Sequence, residues 1–103
     1  MIKTLVLATV VQVQCAQQPL PDGRTILRYA QVAFQTKARS GASIINVAHF
    51  KVTEASATTS ETPAQHACAL LQKSLEQNSQ IELSLQQDET GLLRLQLPIS
   101  KHP

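Results

Sequence analysis

Aromatic side chains are the scarcest large residues in this chain of 103 residues, which has no Trp, one Tyr and two Phe. The core therefore has to be built mainly from Leu, Val, Ile and Ala. Glycine occurs only three times, and no glycine-rich loop for phosphate is present in the sequence. Ser, His and acidic residues fall into neither a nucleophile motif nor a metal-ligand spacing. These absences predict a protein that is not an enzyme and that holds no metal or cofactor.

Cysteine is rare too, since Cys15 and Cys68 are the only two and stand far apart in the sequence. Isolated cysteines are typical of small buried hydrophobes in a reducing compartment, so we expect free thiols, with a disulfide as the alternative. No apolar run approaches the ~18 residues that a membrane span needs. The apolar stretch at residues 4–11 is short and has no cleavage motif, so we interpret it as a strand and not as a signal peptide. A cytoplasmic protein without a membrane segment is the expectation.

Acidic residues are missing from one long segment of the chain. Residues 23–53 carry five positive charges and no Asp or Glu, whereas residues 54–103 have six acidic and three basic side chains. Clustered Lys and Arg attract a polyanion, because neutralised phosphates release their counterions. A solvated basic face is the alternative interpretation. The basic residues of this block are Arg24, Arg28, Lys37, Arg39 and Lys51.

Runs of alternating apolar and β-branched residues predict five strands. They cover residues 4–15, 25–36, 43–53, 80–86 and 92–99. The first turn, at residues 19–23, contains two Pro followed by Asp-Gly, which is the clearest turn signal in the chain. Two further turns are predicted at residues 37–41 and 88–91. Residues 54–62 are small and polar, so they predict a flexible loop.

A helix is predicted to follow this loop and to end near Asn78. Thr62 fits the N-cap, Pro63 the first helical position, and Gln65 can complete a capping box. Apolar residues then recur at helical spacing, at Ala64, Cys68, Leu71 and Leu75. The predicted element order is therefore β-β-β-α-β-β.

This order matches a mostly β fold, the five-stranded OB-fold barrel with one helix between strands three and four. We expect a single domain over residues 1–103, with a split β-sandwich as the alternative. Several segments, in the same order, also resemble the bacterial single-stranded-DNA-binding protein family, including its short cyanobacterial and plastid members and the related primosomal replication protein. These segments are the apolar opening strand at 3–11, Leu-Pro-Asp-Gly at 20–23, the strand at 26–35, Ile-Ile-Asn-Val-Ala-His-Phe at 44–50 and the passage from helix to strand at 75–83.

The resemblance implies sequence-nonspecific binding of single-stranded DNA in replication, recombination or repair, by a homodimer or homotetramer. This chain departs from the family at Ala8 and Asn78, where the family has Gly, and in its few aromatic residues. Only Tyr29, Phe34 and Phe50 are available to stack on bases, and all three lie inside the basic block. We expect these rings to accept bases while Arg24, Arg28, Lys37, Arg39 and Lys51 contact phosphates. RNA is an alternative ligand, and core packing is the alternative role of the two Phe rings.

The scarcity of aromatic residues supports a second hypothesis for the same fold. In it, the OB fold serves as a non-catalytic protein–protein interaction module or as a homo-oligomeric accessory subunit. The apolar, charge-poor first strand would then pair edge to edge with a second copy.

Overall fold

Five strands and one helix make up the part of the chain that the computed structural model describes, which is residues 3–57, 60–97 and 99. The predicted order β-β-β-α-β-β is confirmed. The elements are β1 (Lys3–Pro19), β2 (Thr25–Lys37), β3 (Ser43–Ala55), α1 (Pro63–Gln77), β4 (Gln80–Gln87) and β5 (Leu93–Leu95).

The five strands form one sheet that closes into a ring in the order β1-β2-β3-β5-β4. Closure depends on a short parallel contact, in which Ala48 of β3 pairs with Leu93 of β5 and His49 pairs with Arg94. All other strand pairs are antiparallel. A ring-closed, mostly β sheet with its helix between β3 and β4 is consistent with an OB-like fold, and the ring disfavours the split sandwich.

Strand β1 belongs to both halves of the ring, because its start pairs with β4 and its end pairs with β2. The pairing register shifts between Val10 and Gln12, which is a bulge. A bulge inserts one unpaired residue and so changes which side chains face inward. Ala8 and Val10 are buried before the bulge, whereas Val13 pairs with buried Val32 after it. Even-numbered residues of the second half of β1 therefore point outward.

The core lies inside this ring and under the helix. Its largest fully buried side chains are Phe34, Leu71, Leu83 and Val32, and small alanines fill the space between them. The alternating apolar residues of β4, Ile81, Leu83 and Leu85, are all buried. Since only two rings are present in the core, branched aliphatic packing supplies most of its burial.

Helix α1 has the ends that the sequence predicts. The Thr62 hydroxyl oxygen accepts a hydrogen bond from the Gln65 N–H at 3.2 Å, and the Gln65 side chain accepts one from the Thr62 N–H at 3.0 Å. Asn78 closes the helix with φ of 51°, in the left-handed region. Asn is the non-glycine residue that tolerates this region best, which explains how the helix ends here without Gly.

Three predicted strand boundaries are wrong. Strand β1 continues to Pro19 and does not end at residue 15. Strand β3 continues to Ala55, so Glu54 lies in the sheet and not in the 54–62 loop, of which residues 58 and 59 lie outside the described part. Strand β5 covers only Leu93–Leu95 and not residues 92–99, although Leu97 still packs against the core. Pro98 belongs to the predicted strand but lies outside the described residues.

The expectation of two free thiols is also wrong, because Cys15 of β1 and Cys68 of α1 form a disulfide with a Cα–Cα distance of 6.5 Å. The bulge turns Cys15 toward the side of β1 on which α1 packs. The separation of the two cysteines in the sequence gives no sign of this proximity. The cytoplasmic location that the sequence favours stays a prediction. Within the described residues, no helix has the length and apolar character required to span a bilayer.

Candidate nucleic-acid interface

A groove with a volume of about 1120 Å³ runs across the outward side of β1, β2 and β3. The turn that follows β4, strand β5 and residues 96 and 97 form its far wall. Its principal polar and aromatic lining residues are Gln14, Gln18, Tyr29, Gln31, His49, Lys51, Asp88, Arg94 and Gln96. The combination of a ring, two permanent cations and several amides gives this groove the chemistry of a polar ligand site.

The pairing register arranges these side chains in two rows across the sheet. In the first row Ala16, Tyr29 and Lys51 pair in turn on β1, β2 and β3. In the second row Gln14 pairs with Gln31, Gln31 with His49, and His49 with Arg94 on β5. Directly opposed side chains have Cβ atoms about 4.5–5.5 Å apart, so a ligand lying in the groove can contact several of them at once.

Tyr29 and Phe50 both line the groove, but only Tyr29 exposes its ring there. Its exposed fraction is 41%, while Phe34 and Phe50 are 1% and 4% exposed. The expectation that all three rings stack on bases is therefore corrected: Phe34 and Phe50 lie on the inward side of β2 and β3 and fill the core. A buried ring offers no face to a base, so Tyr29 alone keeps that role.

Lys51 is exposed and lies opposite Tyr29, as a phosphate contact beside a stacking ring requires. Arg94 is a second cation of the groove, and the sequence-based set of binding residues did not include it. Its side chain is 62% exposed, with Nε 3.5 Å from Oδ2 of Asp88. Hydrogen bonding by the Thr90 side chain, with backbone N–H groups and the Arg94 charge, lowers the pKa of Asp88. Asp88 therefore stays ionised and partly offsets Arg94.

Arg28 lies away from the groove, on the inward side of β2. Its Nε is 2.7 Å from Oε1 of Glu54, which makes an ion pair, although the Nε–H does not point at that oxygen. Its Nη1 donates a hydrogen bond to Gln17 Oε1 at 2.7 Å. Both charged side chains are largely buried, at 15% and 12% exposure. The expected phosphate contact by Arg28 is therefore corrected to a buried ion pair, which holds β2 to β3.

The other three predicted cations are exposed but lie outside the groove. Arg24 occupies the turn between β1 and β2, Lys37 ends β2, and Arg39 lies in the turn between β2 and β3. The two ends of β2 are roughly 40 Å apart at ~3.3 Å per residue. The basic block of the sequence therefore spreads along a whole ribbon, and only Lys51 of its five cations lines the groove.

Searches against protein-family models, curated proteins and solved structures found no match to this chain. The resemblance to single-stranded-DNA-binding proteins accordingly stays a prediction from the sequence, and the function has to be argued from the groove.

Proposed function

We propose that this chain is an OB-fold protein that binds single-stranded DNA without sequence preference and catalyses no reaction. The observation that carries the proposal is the exposed ring of Tyr29 directly opposite Lys51, in a groove on the outward side of β2 and β3. OB folds bind oligonucleotides on this side of the sheet, between the loops that follow strands one and four. Replication, recombination or repair of DNA would supply such single-stranded DNA.

We assign each groove residue a role according to its chemistry. The Tyr29 ring stacks on a base of any sequence, which is worth about 1–3 kcal/mol per base. Lys51 and Arg94 neutralise phosphates on either side of that base, and the ionised Asp88 keeps the local charge low. Single-stranded RNA offers the same bases and phosphates and would occupy the same contacts.

Titration of a fluorescent oligo-dT at several salt concentrations tests this proposal. We expect Lys51→Ala to weaken binding and to reduce the slope of log affinity against log salt by about 0.7, the value for one single-strand phosphate. Tyr29→Leu should weaken binding without changing that slope. Lys73→Ala, at an exposed position of helix α1 outside the groove, is the matched control and should bind as the wild type does. No detectable binding, or an affinity indifferent to salt, would refute the proposal.

A second candidate function is self-association into a homodimer or homotetramer, and a separate observation supports it. Leu5 and Leu7 of β1 are 67% and 46% exposed, and Ile45 of β3 is 63% exposed. Over residues 3–8, β1 pairs with β4 alone among the described strands, so its other edge is open to a second copy. Unprotected edges beside apolar side chains favour strand addition.

The oligomer is tested by light scattering after size-exclusion chromatography. We expect a mass above that of one chain for the wild type, and a monomer for Leu5→Lys/Leu7→Lys, because two charges on the face beside this edge oppose association. A wild-type monomer at every concentration measured would remove this candidate.

A further inference from the structure

Three glutamines surround Tyr29 on the floor of the groove. On β1, Gln14 and Gln18 lie two residues to either side of Ala16, which pairs with Tyr29. On β2, Gln31 lies two residues beyond Tyr29 and pairs with Gln14. Diagonal and next-but-one neighbours on one face lie about 7–8 Å apart, within reach of a base stacked on the ring. All three are exposed and line the groove.

The side-chain amides of these three glutamines are free, whereas several other glutamines of the chain are engaged. Within residues 3–57, 60–97 and 99, Gln14, Gln18 and Gln31 make no hydrogen bond through their side chains. By contrast, Gln96 Nε2 donates to Gln86 Oε1 at 2.9 Å, on the far wall of the same groove. Five other glutamines among the described residues also lack a side-chain hydrogen bond, so these three are distinguished by their position around the exposed ring in the groove.

We infer that these amides bind the edges of unpaired bases, so that the site recognises a base-bearing single strand and not a polyanion in general. The inference rests on the proposed function and deepens it. A carboxamide presents donors and an acceptor, which matches the donors and acceptors that a base exposes when it is not paired. Because the amide is neutral, its contribution to affinity does not depend on counterion release. It adds a salt-independent part to the binding free energy, beside the salt-dependent part of Lys51 and Arg94.

The test compares oligo-dT with an abasic oligonucleotide of equal length and equal phosphate number. Met replaces Gln at positions 14, 18 and 31, because Met is similar in length and unbranched but lacks the amide. Each amide is worth about fivefold in affinity at ~1 kcal/mol per hydrogen bond. The Gln14→Met/Gln18→Met/Gln31→Met variant should lose roughly 100-fold for oligo-dT. It should lose nothing for the abasic strand, with the salt slope unchanged.

Gln12→Met/Gln35→Met is the matched control, since both glutamines lie on the same two strands but do not line the groove. Circular dichroism and the thermal midpoint show whether each variant is folded, and Gln31→Met alone replaces the triple variant if that variant unfolds. Equal losses on the two oligonucleotides, or an equal loss in the control, would overturn the inference while leaving the proposed function in place. If the wild type binds neither oligonucleotide, the proposed function is overturned and the inference with it.

Discussion

Removal of the Cys15–Cys68 bond should destabilise the fold by about 4 kcal/mol. The two cysteines are 53 residues apart, and in the chain-entropy model a bond that closes a loop of this size lies between ~3 kcal/mol for 15 residues and ~4.7 kcal/mol for 100 residues. On α1, Leu71 is the one large apolar side chain that is fully buried, and it is worth roughly 1.5–3 kcal/mol. The disulfide therefore contributes at least as much to the free energy of unfolding as burial of this Leu does.

Urea unfolding followed by circular dichroism measures this effect on the oxidised wild type, the reduced wild type and Cys15→Ala/Cys68→Ala. We expect the reduced protein and the double variant to agree with each other, and both to unfold about 15–20 °C lower in thermal scans, at roughly 4–5 °C per kcal/mol. Reductant should leave the double variant unchanged, which is the control for other effects of the reagent. If reduction shifts the wild type by less than about 1 kcal/mol, the estimate from loop closure is refuted.

Two further predictions concern buried and turn carboxylates. Glu54→Ala should cost about 3 kcal/mol, because it leaves the Arg28 charge buried without a counterion. In a double-mutant cycle, the Arg28→Met/Glu54→Ala variant should recover part of the lost free energy of unfolding. Its DNA affinity should equal that of the wild type. Backbone hydrogen bonding by Arg24, followed by the Thr25 side chain, lowers the pKa of Asp22 below its ordinary value of 3.8. A depressed pKa stabilises the fold above pH 3.8, and this contribution is lost as the pH falls through the folded value. Unfolding curves from pH 6 down to pH 2 should show the wild-type advantage over Asp22→Asn disappearing at the acid end.

The features that the sequence predicts correctly depend on contacts between residues close together in the chain. The capping box joins Thr62 to Gln65, and the Asp22 carboxylate accepts hydrogen bonds from the next turn residues. Strand alternation in β4 is equally local, since every second residue is Leu or Ile. Propensity and period therefore fix these elements before any tertiary contact forms.

The features that the sequence misses depend on contacts between distant residues. In β2 the two faces have similar composition, so the pattern separates Arg28 from Tyr29 without showing which face is inside. Glu54 resembles loop sequence, but its counterion lies 26 residues earlier in β2. Arg94 enters the groove only because β5 pairs in parallel with β3. Pairing of β2 with β3 decides the case of Glu54 and ring closure decides the other two, and no local signal carries either.

The charge of the groove connects the two proposed functions. Lys51 and Arg94 contribute two positive charges and Asp88 removes one, so a single groove neutralises few phosphates. Stacking on one ring and a few amide contacts must then supply most of the affinity, and one chain should bind a short DNA strand weakly at physiological salt.

Association of two chains through β1 would let two grooves bind the same DNA strand. The affinity would then rise through effective concentration, without any new type of contact. The gain requires a strand long enough to reach both grooves, so affinity for oligo-dT should rise steeply with length in the wild type. It should rise only gradually in monomeric Leu5→Lys/Leu7→Lys, and equal length dependence in the two proteins would show that the grooves act alone.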